Sequence, residues 1–251
     1  MSLQFESLPL CEVTIRLAVQ THLALELDQL CKITAAFSDK YPKAALIDSP
    51  QPSPGRRSIS ILVGRPVGAR FASNDGLEII LQPELLAVSW KQKADLDKYP
   101  HFERLKSELK WAAEMVAETT GGSLKFNAIN MAYVDLVPCE AQPTSEFVAS
   151  YFAEGLLPTR VLGDGVFHES VASWREASSE VDLRLHLRAL RALGGKGSGF
   201  SLTTVAGRRI TACDWPADEL ELIHEKLEMM FPDLLSQKAK IEWGFKDDAT
   251  H

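Results

Sequence analysis

The sequence is short of every pattern that usually announces chemistry. Its four cysteines, Cys11, Cys31, Cys139 and Cys213, form no C-x-x-C pair, so the usual spacing of a zinc site is missing. Three of them lie in or beside apolar runs, which suits reduced structural thiols behaving as small hydrophobes. The six histidines, His22, His101, His168, His186, His224 and His251, contain neither H-x-x-x-H nor H-E-x-x-H. A pair of histidine ligands carried four residues apart on one helix face is thereby absent. No serine stands in a G-x-S-x-G elbow. The glycine-rich stretch 194–199 contains Lys196, but Gly197 follows it and the next segment reads as a strand. A phosphate-cradling loop needs Lys-Ser/Thr and a helix at that point, so the stretch reads as a hairpin connection.

Long hydrophobic runs are also lacking. No window approaches the 18 or so apolar residues of a membrane span. The segment Met1–Glu6 has no basic region leading into an apolar one, as a secretory leader does. The expected location is cytoplasmic, which also suits unpaired cysteines. Positive charge is in deficit: 27 Lys and Arg stand against 34 Asp and Glu, a net charge of -7. A chain-wide electrostatic grip on nucleic acid is disfavoured, although a local basic patch remains compatible with this balance.

What is present is a core. The 251 residues are 45% hydrophobic and 24% charged, enough for a single large domain, with a weak echo between the halves 1–140 and 141–251. Strict alternation at Cys11–Val19 predicts a half-buried strand with Glu12, Thr14 and Arg16 on its polar face. A helix is expected over 25–37, ended by Tyr41-Pro42. The proline-rich loop 48–57 precedes four short strands, 59–63, 69–73, 77–81 and 85–90, and Asn74-Asp75-Gly76 marks a hairpin turn. Leu105, Leu109, Ala112 and Val116 share one stripe of a helix over 102–119, which Gly121-Gly122 ends.

In the second half, Thr144 caps a helix over 145–153, and 155–179 reads as irregular. Val181–Arg191 alternates cleanly, with Asp182, Arg184, His186 and Arg188 on the polar face. Strands at 200–206 and 208–213 flank a turn at Gly207. A helix over 217–235 and a strand over 238–245 complete the chain. The expected fold is α+β: a twisted, mainly antiparallel sheet packed on one side by two long helices.

The polar strand faces carry the functional candidates. The plain reading of Glu12, Arg16, Asp182, Arg184, His186 and Arg188 is a solvated sheet face with weak cross-strand ion pairs. The sharper reading is a recognition surface, since basic groups at alternate positions can hold a phosphate, a carboxylate or an acidic partner. His168, Asp182 and His186 form a metal or acid–base site if the fold gathers them. The segment Phe126–Val137 reads as an interior strand, apolar on both faces, that also carries Asn130, Tyr133 and Asp135. A buried Asn130 or Asp135 needs hydrogen bonds, from nearby loop backbone in the plain reading. In the sharper one, Tyr133 and Asp135 reach a pocket.

Pro9-Leu10-Cys11-Glu12-Val13 resembles the P-[hydrophobic]-x-E-x opening strand of a sporadically distributed bacterial family of uncharacterised proteins of about this length. Asn130-Met131-Ala132-Tyr133-Val134-Asp135 resembles its central motif. The family pattern has Arg before the Tyr and Asn two residues after it; here those positions are Ala132 and Asp135. The resemblance implies no established activity. The family's patchy occurrence points to mobile-element or defence neighbourhoods. The expectation is a non-enzymatic accessory protein that binds another protein or a small ligand through its sheet, in a defence or toxin–antitoxin-like setting. A hydrolase or nuclease using His168, Asp182 and His186 is the alternative. Nothing implies a cofactor, no residue is assigned a catalytic or metal-ligating role, and a homodimer is left open.

Overall fold

A computed structural model describes residues 4–5, 9–23, 25–48, 66–93, 99–154, 156, 167–190 and 198–246. The architecture is α+β, and each ladder of resolved register is antiparallel. The chain forms two compact units. The late unit comprises Met1–Val13, Asn130–Arg208 and Ala217–His251; the early unit comprises Thr14–Ile129 and Arg209–Pro216. Three long strands, β2 (Leu10–Val19), β7 (Phe126–Cys139) and β10 (Ser198–Cys213), contribute residues to both.

In the early unit, β4 (Pro66–Ala72), β5 (Leu77–Gln82) and β6 (Leu85–Lys91) form three strands of the expected meander, and β3 (Lys43–Asp48), which was not expected, pairs with β4. The Asn74-Asp75-Gly76 turn closes as its sequence predicts. Gly76 takes φ +90°, and Ser73 N and Leu77 O, 2.9 Å apart, hydrogen-bond across it. Register places Phe71 opposite Ile79 and Ile79 opposite Val88, all fully buried. Two helices, α1 (Leu27–Phe37) and α2 (Phe102–Thr120), pack on each other and against β4 and β6. Their buried stripes are Leu30, Ile33 and Phe37 on α1, and Leu105, Leu109, Ala112 and Val116 on α2. Gly121, at φ +70°, ends α2 in the left-handed conformation.

A polar group is locked into this packing. The Glu108 side chain is 8% exposed and takes the Lys40 ammonium at 2.7 Å and the Tyr41 hydroxyl at 2.9 Å. Lys40 lies 4.6 Å from the centroid of the Trp111 ring, and Tyr41 stacks on the same ring. Burial and the Glu108 carboxylate push the Tyr41 hydroxyl far above its ordinary pKa, so it acts here as a donor only.

In the late unit the strand order is β7, β10, β9 (Val181–Leu190), β8 (Glu169–Glu176). Around them lie α3 (Ser145–Ala149), α4 (Ala217–Leu234) and α5 (Gln237–Glu242). A two-stranded ladder pairs β1 (Gln4–Phe5) with β11 (Phe245–Lys246). Val137, Leu185, Leu187, Phe200 and Leu202 from the strands meet Tyr151, Phe152, Phe231 and Trp243 in one core. Thr144 caps α3 as expected, its Oγ1 accepting from Phe147 N at 3.1 Å.

Several expectations are corrected. Residues 238–244 are not a strand, and only Phe245 of the expected segment belongs to one. Ser236 Oγ accepts from Ala239 N at 3.2 Å and caps a helix instead. Ala239 and Trp243, four residues apart, enter the core together, whereas Ile241 is 72% exposed; a helix separates them in this way and a strand does not. No turn forms at Gly207, because β10 runs through it and pairs Gly207 with Asp182. The helix expected over 145–153 stops at Ala149. Strands β3 and β8 are additions, the latter within the segment read as irregular. Residues 49–65, with the proline-rich loop and the strand expected at 59–63, and residues 191–197 of the glycine-rich stretch lie outside the described residues. Gly199 has its own reason: a Cβ there would stand 2.6 Å from Val137 O.

The Glu108 cluster yields a stability prediction. Tyr41→Phe removes a buried donor to a carboxylate and is expected to lose about 1–2 kcal/mol, read as a lower urea midpoint at unchanged slope. A midpoint equal to that of the parent would show that the hydroxyl contributes nothing.

Candidate functional site: an open, arginine-bearing sheet face

Alternation along β9 sorts its side chains by face. Val181, Leu183, Leu185 and Leu187 are buried, while Asp182, Arg184 and Arg188 are exposed and His186 is half-buried. The outward residues align with their neighbours in cross-strand rows. Ser201, Arg188 and Glu169 form one row; Thr203, His186 and Val171 the next; Val205, Arg184 and Ser173 the third; Gly207, Asp182 and Arg175 the last. The hydroxyls and charges of the rows thus share one open face.

Electrostatics on this face are uneven. His186 Nε2 lies 2.5 Å from Glu169 Oε1, and Arg175 Nη1 lies 3.8 Å from Asp182 Oδ1. Arg184 and Arg188 have no hydrogen-bond or ion-pair partner among the described residues. Their guanidinium groups stand either side of His186 along β9, with their Cα atoms about 13 Å apart.

The other sequence candidates distribute differently. Arg16, in the early unit, is exposed on β2, whereas Thr14 on the same polar face is buried. In the late unit Glu12, Asn130 and Tyr133 are half-buried, and Glu12 and Tyr133 each hold a partner. His168, Asp182 and His186 do not gather. Asp182 and His186 stand four residues apart on one strand, about 13 Å, and each is engaged by its own cross-strand partner. Backbone pairing puts His168 beside Ala189, whose N donates to His168 O at 2.8 Å. Shared metal ligation or proton transfer needs far shorter separations. Among the described residues no group of three or more His, Cys, Asp or Glu is placed to hold a metal ion.

Asp135 departs furthest from expectation. It lies on β7 two residues before Val137 of the core, and is 1% exposed. Neither carboxyl oxygen has a hydrogen-bond partner, so the backbone bonds expected for it are not made. Thr204, on neighbouring β10, also buries an unpartnered hydroxyl. The sequence signal for Asp135 was its position in step with Ile129, Met131 and Val137; Thr204 gave none. Desolvation pushes the Asp135 carboxyl up to about 8, so at neutral pH the folded chain holds it protonated.

No family model, curated protein or solved structure matches this chain. Leu136 N, one residue beyond the segment Asn130–Asp135, donates to Pro9 O at 2.8 Å.

The Asp135 carboxyl sets a pH dependence. Its folded pKa, about 8, lies above the unfolded value, so its stability contribution is complete below about pH 4 and declines as pH rises toward 8. The slope is on the order of 1 kcal/mol per pH unit in that window. Asp135→Asn removes the titration, so the variant should gain on the parent steadily from pH 5 to pH 8 in denaturant unfolding. Parallel stability curves for the two proteins would contradict a buried, protonated Asp135.

Proposed function

We propose that this chain is a non-enzymatic binding protein whose late-unit sheet face holds an acidic protein segment. The reading rests above all on Arg184 and Arg188, two exposed arginines without a hydrogen-bond or ion-pair partner among the described residues. In this reading the apolar side of the sheet is occupied by helix and the other side is left for the partner. A strand-like segment advances about 3.3 Å per residue, so carboxylates at alternate positions recur about every 7 Å. Such a ladder laid along β9 meets Arg184 and Arg188 with its first and third carboxylates and passes the His186–Glu169 pair with its second. Ser173, Ser201 and Thr203 add hydroxyl donors to the same rows. The net charge of -7 makes this basic spot local, which favours orientation of a partner over general adhesion. The family resemblance supplies the setting of the proposal, an accessory component of a defence or toxin–antitoxin-like system.

The test is binding of a fluorescent peptide with glutamates at alternate positions, followed by anisotropy. Arg184→Ala with Arg188→Ala should weaken binding by about tenfold or more. Arg175→Ala, which removes an arginine already paired with Asp182, should change it little. Rising salt should weaken the parent complex. Equal affinity of the parent and the double variant would end the proposal.

A further inference from the structure

We infer that β8 is a self-pairing edge, and that two copies of this chain join through it, antiparallel and in one defined register. This rests on ladder geometry and stands whether or not the open face binds an acidic segment. β8 closes the strand order of the late unit, with no strand beyond it among the described residues. Val171 is 57% exposed and Trp174 37%.

The direction of the β8 backbone groups follows from its neighbour. Register pairs Glu169 with Arg188, so His168 stands opposite Ala189. Ala189 N donates to His168 O at 2.8 Å, which makes that a hydrogen-bonded pair. Hydrogen-bonded and non-bonded pairs alternate along an antiparallel ladder. Ser170, Ala172, Trp174 and Glu176 therefore turn their N–H and C=O groups toward β9. Glu169, Val171, Ser173 and Arg175 turn theirs outward, to the open edge.

An added strand must match those outward residues with outward residues of its own. For a second β8 this admits only registers that pair odd-numbered positions with odd-numbered ones. Centring the two-fold axis on Ala172 uses all four: Glu169 of one protomer faces Arg175 of its partner, Val171 faces Ser173, and symmetry repeats both pairs. The charges on this edge, which deter most foreign strands, then neutralise each other. The next pair outward sets His168 against Glu176. On the other face Ser170 stands opposite Trp174, a small residue beside a large one. Shifting the axis by one residue along the strand centres it on Val171 or Ser173 and loses both Glu169–Arg175 pairs. The selective feature is thus a palindromic charge pattern that coincides with the outward hydrogen-bonding positions.

The experiment is the mass of the full chain by sedimentation equilibrium at micromolar to sub-millimolar concentration. The parent is expected to be a dimer. Val171→Pro removes an outward N–H that the ladder with β9 does not use, and should yield a folded monomer, with folding checked by circular dichroism. Glu169→Arg sets arginine against arginine, and Arg175→Glu sets glutamate against glutamate. Each should weaken the dimer by about tenfold or more, and the double variant carrying both should recover it. That recovery separates broken pairing from misfolding and fixes the register. A monomeric parent overturns the inference, as does a dimer that persists in Val171→Pro, or a double variant no tighter than the single ones.

Discussion

Burial of one face of β9 and β10 is the constraint on which the rest of the late unit depends. Leu185, Leu187, Phe200 and Leu202 pack with Phe231 of α4 and Trp243 beyond α5, and burying each such side chain is worth about 1.5–3 kcal/mol. Side chains in a strand alternate strictly, so this core admits one assignment of faces. A slip of one residue would bring Arg184, His186 and Arg188 into the aromatic cluster and put the leucines in water. The polar face is thus the obligatory reverse of the core, and Arg184 and Arg188 are held in fixed rows without an ion-pair partner among the described residues.

Asp135 shows what the same packing tolerates. An unpartnered carboxyl on the core side would be prohibitive if ionised; protonation lowers the cost to that of a neutral polar group without hydrogen bonds, on the order of 1–3 kcal/mol. Thr204 adds a second unsatisfied group from the adjoining strand. Contrast Glu108 in the early unit, buried in company with Lys40 and Tyr41. The two buried acids reach opposite solutions, one by proton uptake and one by partners.

Most of this fold was legible where side-chain period and burial agree. The leucines and arginines of β9, the apolar stripe of α2 and the Asn74-Asp75-Gly76 turn needed only local rules. The errors share a cause. Ala239, Ile241, Trp243 and Phe245 alternate as a strand would, but the capping bond from Ser236 and the joint burial of Ala239 and Trp243 decide for helix. Glu169–Glu176 alternates poorly because it is an edge with little to bury, so its strand character comes from β9 and not from its own composition. At the candidate site the outward residues were readable. Which arginines lack partners was not, because Glu169 and Arg175 arrive from a strand the sequence hides.

The two surfaces of β8 and β9 are linked by the period of the strand itself. Backbone direction and side-chain direction both alternate every second residue, so the β8 positions with outward hydrogen-bonding groups are also those whose side chains stand on the open face. Anything that pairs with this edge must therefore extend that face as well. With a two-fold axis perpendicular to the sheet, a second copy brings its own Arg184 and Arg188 to the same side, across the paired β8 strands. The proposed binding surface and the proposed assembly edge, which look separate along the sequence, are then one continuous polar sheet, with both arginine rows set by the burial of β9.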